Sequence, residues 1–141
     1  ECGKLFIFLR GVRRLQIEVL RRHIEDIAAK CNIQIVYKEG YPGRAYHRER
    51  RIKISPIKSE ITYAVALHEL GHLLGRRGRA RIDKETFAWI WAKQNSLIWT
   101  ESMNDKMVRC LQSYVMWSKR RKGAVVPQKG HAIFSLIGSP D

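Results

Sequence analysis

The stretch SEITYAVALHELGHLLG, residues 59–75, carries the strongest structural signal in the chain. Ser59 is a residue type that caps helix N-termini, and Gly75 is one that ends helices, so a helix is predicted over residues 60–74. One face of this helix is rich in leucine, and we expect it to pack in the core. The opposite face carries two histidines, and we expect it to line a cleft.

Within that helix, His68 and His72 are four residues apart and therefore project from nearly the same side, where both can bind one ion. Glu69 lies about 100° around the helix from His68, close enough to reach a water molecule bound to the metal. This is the arrangement of a zinc peptidase with a glutamate base. The motif predicts Zn²⁺ as cofactor, His68 and His72 as ligands and Glu69 as the catalytic residue.

A catalytic zinc site keeps three protein ligands, so a third ligand must lie elsewhere in the chain. The long zinc motif is excluded, because Gly78 stands where its last histidine would be. We favour Glu85, which opens the next predicted helix on a face whose small residues allow close helix packing. Asp83 and His131 are the alternatives, although an aspartate just before a helix is more often a cap. The face shared with Glu85 also contains Ala88, Trp89 and Ala92.

Hydrophobic periodicity predicts the other elements. A basic extension is expected from about residue 118, and the 141 residues are expected to form one domain, 1–141. The apolar face of the first helix is predicted to comprise Val12, Leu15, Val19, His23, Ile27 and Cys31. The predicted order, typical of an α+β fold, is a helix over 11–31, strands over 33–38 and 51–54, helices over 60–74, 84–97 and 102–117, and an unassigned tail from Gly123.

The run Ala66–Gly75, followed by Glu85-Thr86-Phe87-Ala88, resembles the ImmA/IrrE family of small zinc peptidases. The resemblance covers roughly residues 12–98 and implies a zincin-like minimal domain with an N-terminal helix, a small sheet, a motif helix and a ligand helix. It implies a gluzincin-like site in which His68, His72 and Glu85 bind zinc and Glu69 is the base. Since members cleave or otherwise inactivate helix-turn-helix repressors, it also implies a DNA-binding regulatory protein as substrate.

In such a site, water made acidic by zinc gives its proton to Glu69 and attacks a peptide carbonyl. A further hydrogen-bond donor is needed to stabilise the oxyanion of the tetrahedral intermediate. An extended substrate can pair with the 51–54 strand if that strand is a sheet edge. The candidate oxyanion donors are Tyr46, His47, Tyr114 and His131.

The chain has 27 Lys and Arg against 13 Asp and Glu, a net charge of +14, so an anionic partner is expected. Three basic clusters suggest nucleic acid or an acidic protein as that partner. The alternative function is therefore a binding module for nucleic acid or protein, with structural or silent zinc. The clusters are Arg48, Arg50, Arg51 and Lys53; Arg76, Arg77, Arg79 and Arg81; and Lys119–Lys122.

Three single cysteines, Cys2, Cys31 and Cys110, form no metal-binding or redox pair, which predicts a reducing, cytoplasmic setting. The longest apolar run, Leu5–Leu9, is far shorter than the roughly 20 residues of a membrane-spanning helix. No membrane partner is therefore expected.

Overall fold

The computed structural model describes residues 2–138, with side chains from residue 13 onward. Over this range the chain has an α+β fold with five helices and a small three-stranded mixed sheet, which confirms the predicted fold class. None of these helices combines the length and the apolar character needed to cross a bilayer. The elements are α1 (Cys2–Lys30), β1 (Gln34–Tyr37), β2 (Arg44–Tyr46), β3 (Arg51–Ile54), α2 (Glu60–Leu74), α3 (Arg81–Asn95), α4 (Glu101–Arg120) and α5 (Ile133–Ile137).

Helix α2 has the predicted bounds and lies in the middle of the fold. Its N-terminus is closed by a capping box, in which the Ser59 side chain accepts from the backbone of Thr62 at 3.1 Å and the Thr62 hydroxyl accepts from the backbone of Ser59 at 2.9 Å. The histidine face is covered at His68, which is only 8% exposed because α3 packs over it, whereas His72 on the same face borders a cavity, as the prediction of a cleft requires. The buried residues of α2 are Tyr63, Ala64 and Ala66–Gly71.

Helices α2 and α3 approach each other closely at Gly71 and Ala88, which confirms the expected effect of the small residues on α3. A Cβ atom at Gly71 would overlap the backbone carbonyl of Ala88 and lie 3.0 Å from its Cα. Only glycine leaves room for this contact. It places the first turn of α3 directly above the histidine face of α2.

The sheet has the order β1-β3-β2, with β1 parallel and β2 antiparallel to β3. The sequence predicted β1 and β3 but missed β2, whose three residues are too few for a periodic pattern. The proposed substrate edge at residues 51–54 is also wrong, because β3 is the central strand and is hydrogen-bonded on both sides. The side chains of Ile52 and Ile54 are buried and join the core.

Helix α1 packs on the core through only part of the predicted face. Leu15 is 68% exposed and Val19 56% exposed, but Ile27 and Cys31 pack against the core as predicted. Packing against α2 and β1 shifts the buried face toward its neighbours on the helix, which are Leu20, Ile24 and Ala28. Val12 and the run at residues 5–9 lie outside the described side chains.

The C-terminal elements pack against the centre of the molecule. Helix α4 is capped by Thr100, whose hydroxyl accepts from the backbone of Met103 at 3.3 Å. The tail, which had no predicted structure, forms α5, and Ile133 on it is fully buried.

The prediction that Asp83 caps α3 is wrong, since Ala80 occupies that position without a side-chain hydrogen bond.

The Gly71–Ala88 contact predicts the sign of a stability change. Gly71→Ala is expected to lower the free energy of unfolding by about 1–3 kcal/mol, because the added methyl group overpacks the helix interface. At an exposed helical site the same change would raise stability by about 1 kcal/mol. Denaturant unfolding measures the difference, with Ser113→Ala on the exposed side of α4 as control. A more stable Gly71→Ala protein would contradict this packing.

Candidate metal centre

Three side chains from α2 and α3 converge on one point. The Nε2 atoms of His68 and His72 lie 3.1 Å apart, as expected for histidines one helical turn from each other. Glu85, the fifth residue of α3, places Oε2 at 3.0 Å from His68 Nε2 and 3.4 Å from His72 Nε2. The predicted helix and the close α2–α3 contact thus bring these three residues together.

The spacing of these atoms suits a shared cation. Ligands at about 2.0–2.1 Å from a tetrahedral zinc ion lie roughly 3.3 Å from one another. Glu85 is only 5% exposed, and its Oε2 atom is buried without a hydrogen-bond partner among the described residues. A buried oxygen in this state is costly unless a cation binds it. The residues therefore fit a divalent metal ion.

Glu69 lies beside these ligands. His68, Glu69 and His72 each offer a ligand atom, all within 4.8 Å of one another, and such a group could hold a metal ion. The Glu85 oxygen, at 3.0 and 3.4 Å from the two imidazoles, has the tighter spacing expected of ligands on one ion. These distances favour Glu85 over Glu69 as the partner of the two histidines at a shared cation, with Glu69 beside them.

Burial and mutual contact set the charges of the group. Burial raises the pKa of Glu69 to about 7 and lowers the pKa of His68. For His72 and Glu85 burial works against the charged forms, but their interaction prevails: the pKa of His72 is raised and that of Glu85 is lowered. An ionised carboxylate facing two imidazoles is a suitable donor set for a cation.

Trp89 holds His68 in place. Its ring stacks on the imidazole with centroids 4.3 Å apart and planes 24° apart, and Trp99 packs edge-on against Trp89. The Nδ1 atom of His68 has no hydrogen-bond partner among the described residues, so stacking orients the ring. Trp89 follows Glu85 by one helical turn, and this i,i+4 spacing was the sequence signal for its position.

Gly43, just before β2, was not predicted as part of the site. It has a positive φ of +108°, and a Cβ atom built on it would lie 3.0 Å from Glu69 Oε1. The absence of a side chain lets the sheet approach the Glu69 carboxylate. Only the turn-forming Tyr-Pro-Gly sequence hinted at this position.

The alternative ligands Asp83 and His131 lie away from the ion-binding atoms and pair with each other. Nε2 of His131 and Oδ1 of Asp83 are 2.5 Å apart, and His131 Nδ1 accepts from the backbone of Ile133. This contact ties the C-terminal tail to the first turn of α3.

The four candidate oxyanion donors occupy different surroundings. Tyr46 packs against Arg51 on the sheet, and His131 is engaged with Asp83. Tyr114 accepts from Arg81 at 3.4 Å, and Arg81 Nε in turn lies 4.0 Å from Oε1 of Glu85. His47 shares a cavity with His72, described next.

A cavity of about 280 Å³ opens beside His72, and basic side chains surround it. Burial, followed by the charges of His72, Arg77 and Lys84, lowers the pKa of His47 in its wall. A larger groove of about 860 Å³ lies between α1, α2 and residues 97–102, away from the metal-binding atoms. The lining residues of the smaller cavity are His47, His72, Arg76, Arg77, Gly78 and Lys84.

Comparison of the chain with protein-family models, with curated proteins and with solved structures finds no match in any of the three. The resemblance to the ImmA/IrrE family rests on residues 66–75 and 85–88. These residues occupy α2 and the start of α3, the two helices that form the metal centre.

The ligand assignment predicts which variants lose the metal. Glu85→Gln and His72→Ala are each expected to weaken zinc binding more than the roughly 10- to 100-fold caused by loss of a supporting residue. Asp83→Asn is the matched control, since it lies two residues from Glu85 but outside the ligand group. Titration of the metal-free protein with zinc against a chromophoric chelator measures the affinities. Equal losses in Asp83→Asn and Glu85→Gln would contradict the assignment.

Proposed function

We propose that the protein is a zinc-dependent endopeptidase with an ImmA/IrrE-like, zincin-like site in which His68, His72 and Glu85 hold the ion. One observation carries the proposal: two imidazole nitrogens and a carboxylate oxygen, from largely buried side chains, lie 3.0–3.4 Å apart. A second carboxylate, that of Glu69, directly follows His68 in the chain. When bound there, zinc supplies a Lewis acid and lowers the pKa of water to about 7.

Glu69 acts as the general base of this reaction. Its carboxylate lies beside the ligand atoms without being needed to complete the trio, so it can take a proton from water and return it to the leaving amine. Contact with Gly43 holds the carboxylate against the sheet. The backbone at Gly43, just before β2, thus orients the Glu69 carboxylate.

The substrate strand is proposed to add to β2. Among the described residues β2 pairs only with β3, so its other edge offers free backbone groups. Gly43, at the start of this edge, touches Glu69. A peptide paired with β2 would therefore pass the base in extended form.

We propose a DNA-binding regulatory protein as substrate, the class implied by the family resemblance. The basic cavity beside His72 supports a substrate segment with acidic side chains next to the scissile bond. Arg76, Arg77 and Lys84, which line this cavity, form no ion pair within the described part of the chain.

A second candidate is a module that binds nucleic acid or protein and carries a structural zinc. It is favoured by the burial of Glu69, which is 7% exposed and near enough to complete a four-ligand site. A closed site of this kind would do no chemistry. The two candidates differ in what Glu69 does.

Glu69→Gln separates these candidates. The peptidase predicts unchanged zinc affinity and at least about a 100-fold loss of cleavage, since a general base contributes roughly 10²–10⁴ in rate. Cleavage is measured by mass spectrometry on a proteome-derived peptide library. Wild-type protein treated with a zinc chelator is the control. Weaker zinc binding in Glu69→Gln, together with a wild-type protein that cleaves nothing, would favour the structural-zinc module.

Gly43→Ala tests the orientation of the base. The added methyl group would press on Glu69 Oε1, so we expect cleavage to fall about tenfold or more while zinc still binds. Gly40→Ala is the control: Gly40 also has a positive φ, of +70°, but a Cβ there meets no atom within 4 Å. Equal activity of the two variants per folded, zinc-loaded molecule would contradict a positioning role for Gly43.

A further inference from the structure

The outer face of the sheet is strongly basic and aromatic. Ile52 and Ile54 of β3 point into the core, so the alternating residues Arg51 and Lys53 lie on the opposite face. Directly across from these two, β2 presents Tyr46 and Arg44 respectively. Tyr41, from the loop before β2, completes this face through contact with Lys53.

Each cation of this outer face lies over an aromatic ring. Arg51 and Arg44 lie 4.5 and 5.2 Å from the ring centre of Tyr46. Lys53 and Lys38 lie 4.6 and 5.9 Å from that of Tyr41. The rings hold the charged groups in position, which lowers the entropy lost when the cations bind an anion.

The charges on this face are not neutralised. Arg44 and Lys53 are direct cross-strand partners, an arrangement in which like charges destabilise a sheet. Within the described part of the chain, no carboxylate lies within 4.0 Å of Lys38, Arg44, Arg51 or Lys53. The fold thus keeps an unfavourable contact that an anionic ligand would relieve.

The two tyrosines of this face each lie among cations, Tyr41 beside Lys38 and Lys53 and Tyr46 beside Arg44 and Arg51. Aromatic rings interleaved with cations are the combination that single-stranded nucleic acid uses, because bases stack on rings and phosphates bind cations. An acidic peptide would use the cations but would gain no stacking from the rings.

We propose that the outer sheet face binds single-stranded nucleic acid, with phosphates at the four cations and bases against Tyr41 and Tyr46. This site shares no side chain with the metal centre and does not depend on peptidase activity. It lies on the far side of β2 from the core, whereas the Glu69 carboxylate meets the chain at Gly43, just before β2.

The electrostatic part is tested by salt dependence. The probe is a fluorescein-labelled oligo(dT) of about 16 nucleotides, and anisotropy gives affinity between about 50 and 200 mM salt. Four phosphate contacts predict a slope of log K against log salt of about −3, from roughly 0.7 per contact. Arg44→Gln/Lys53→Gln is expected to reduce the slope by about 1.4 and the affinity by roughly 25-fold at about 0.1 M salt.

The matched control is Lys119→Gln/Lys122→Gln, which removes the same charge from the exposed basic run at the C-terminal end of α4. It is expected to keep most of the affinity. If both double variants lose affinity equally, binding follows total charge and the proposal is overturned. Because relief of the Arg44–Lys53 contact favours the fold, the sheet variant is also expected to unfold no earlier than wild type, which shows that weaker binding is not due to misfolding.

The stacking part is tested by Tyr46→Leu, which removes the ring but no charge. Affinity for oligo(dT) is expected to fall about tenfold with the salt slope unchanged. A duplex of the same length is expected to bind more weakly than the single strand, and poly-glutamate is expected to compete poorly. Equal binding of duplex, or poly-glutamate competing as well as oligo(dT) at equal charge, would overturn the proposal in favour of duplex or an acidic protein partner.

Discussion

The contact between Gly71 and Ala88 determines whether the site can exist. Gly71 lies on α2 between His68 and His72 in the sequence, and Ala88 lies one turn after Glu85 on α3. Without side-chain atoms at Gly71 the two helices meet backbone to backbone, and Glu85 comes within 3.0 Å of His68. A wider separation would move the carboxylate beyond the reach of an ion bound by both imidazoles. The convergence of these three side chains is therefore a consequence of helix packing.

The protein separates two kinds of electrostatic environment. The metal centre gathers two buried carboxylates in a chain whose net charge is +14. Burial keeps these groups away from bulk solvent and makes their local contacts decisive. The outer sheet face instead leaves four cations without carboxylate partners among the described residues. The segment at Gly43 and β2 connects the two, since its start touches Glu69 and its side chains belong to the basic face.

Local signals in the sequence were enough for the central elements. The cap at Ser59 and the stop at Gly75 gave the bounds of α2, and the alternation at residues 51–54 gave β3. The buried face of α1 and the partner of Asp83 were instead decided by contacts between segments that are distant in the sequence. Only packing of α1 against α2 and β1 decides which of its apolar side chains are buried. Asp83 has the chemistry of a cap, but α3 begins two residues before it, and His131, 48 residues later, binds its carboxylate.

The sequence by itself determined the α+β order, the central helix and the spacing of His68, Glu69 and His72, because each depends on interactions within a few residues. Tertiary structure decided that Glu85 rather than Asp83 or His131 joins the histidines, that β3 is a central strand, and that four cations gather on one sheet face. These outcomes depend on contacts between distant segments, whose geometry is set by close packing of the whole core.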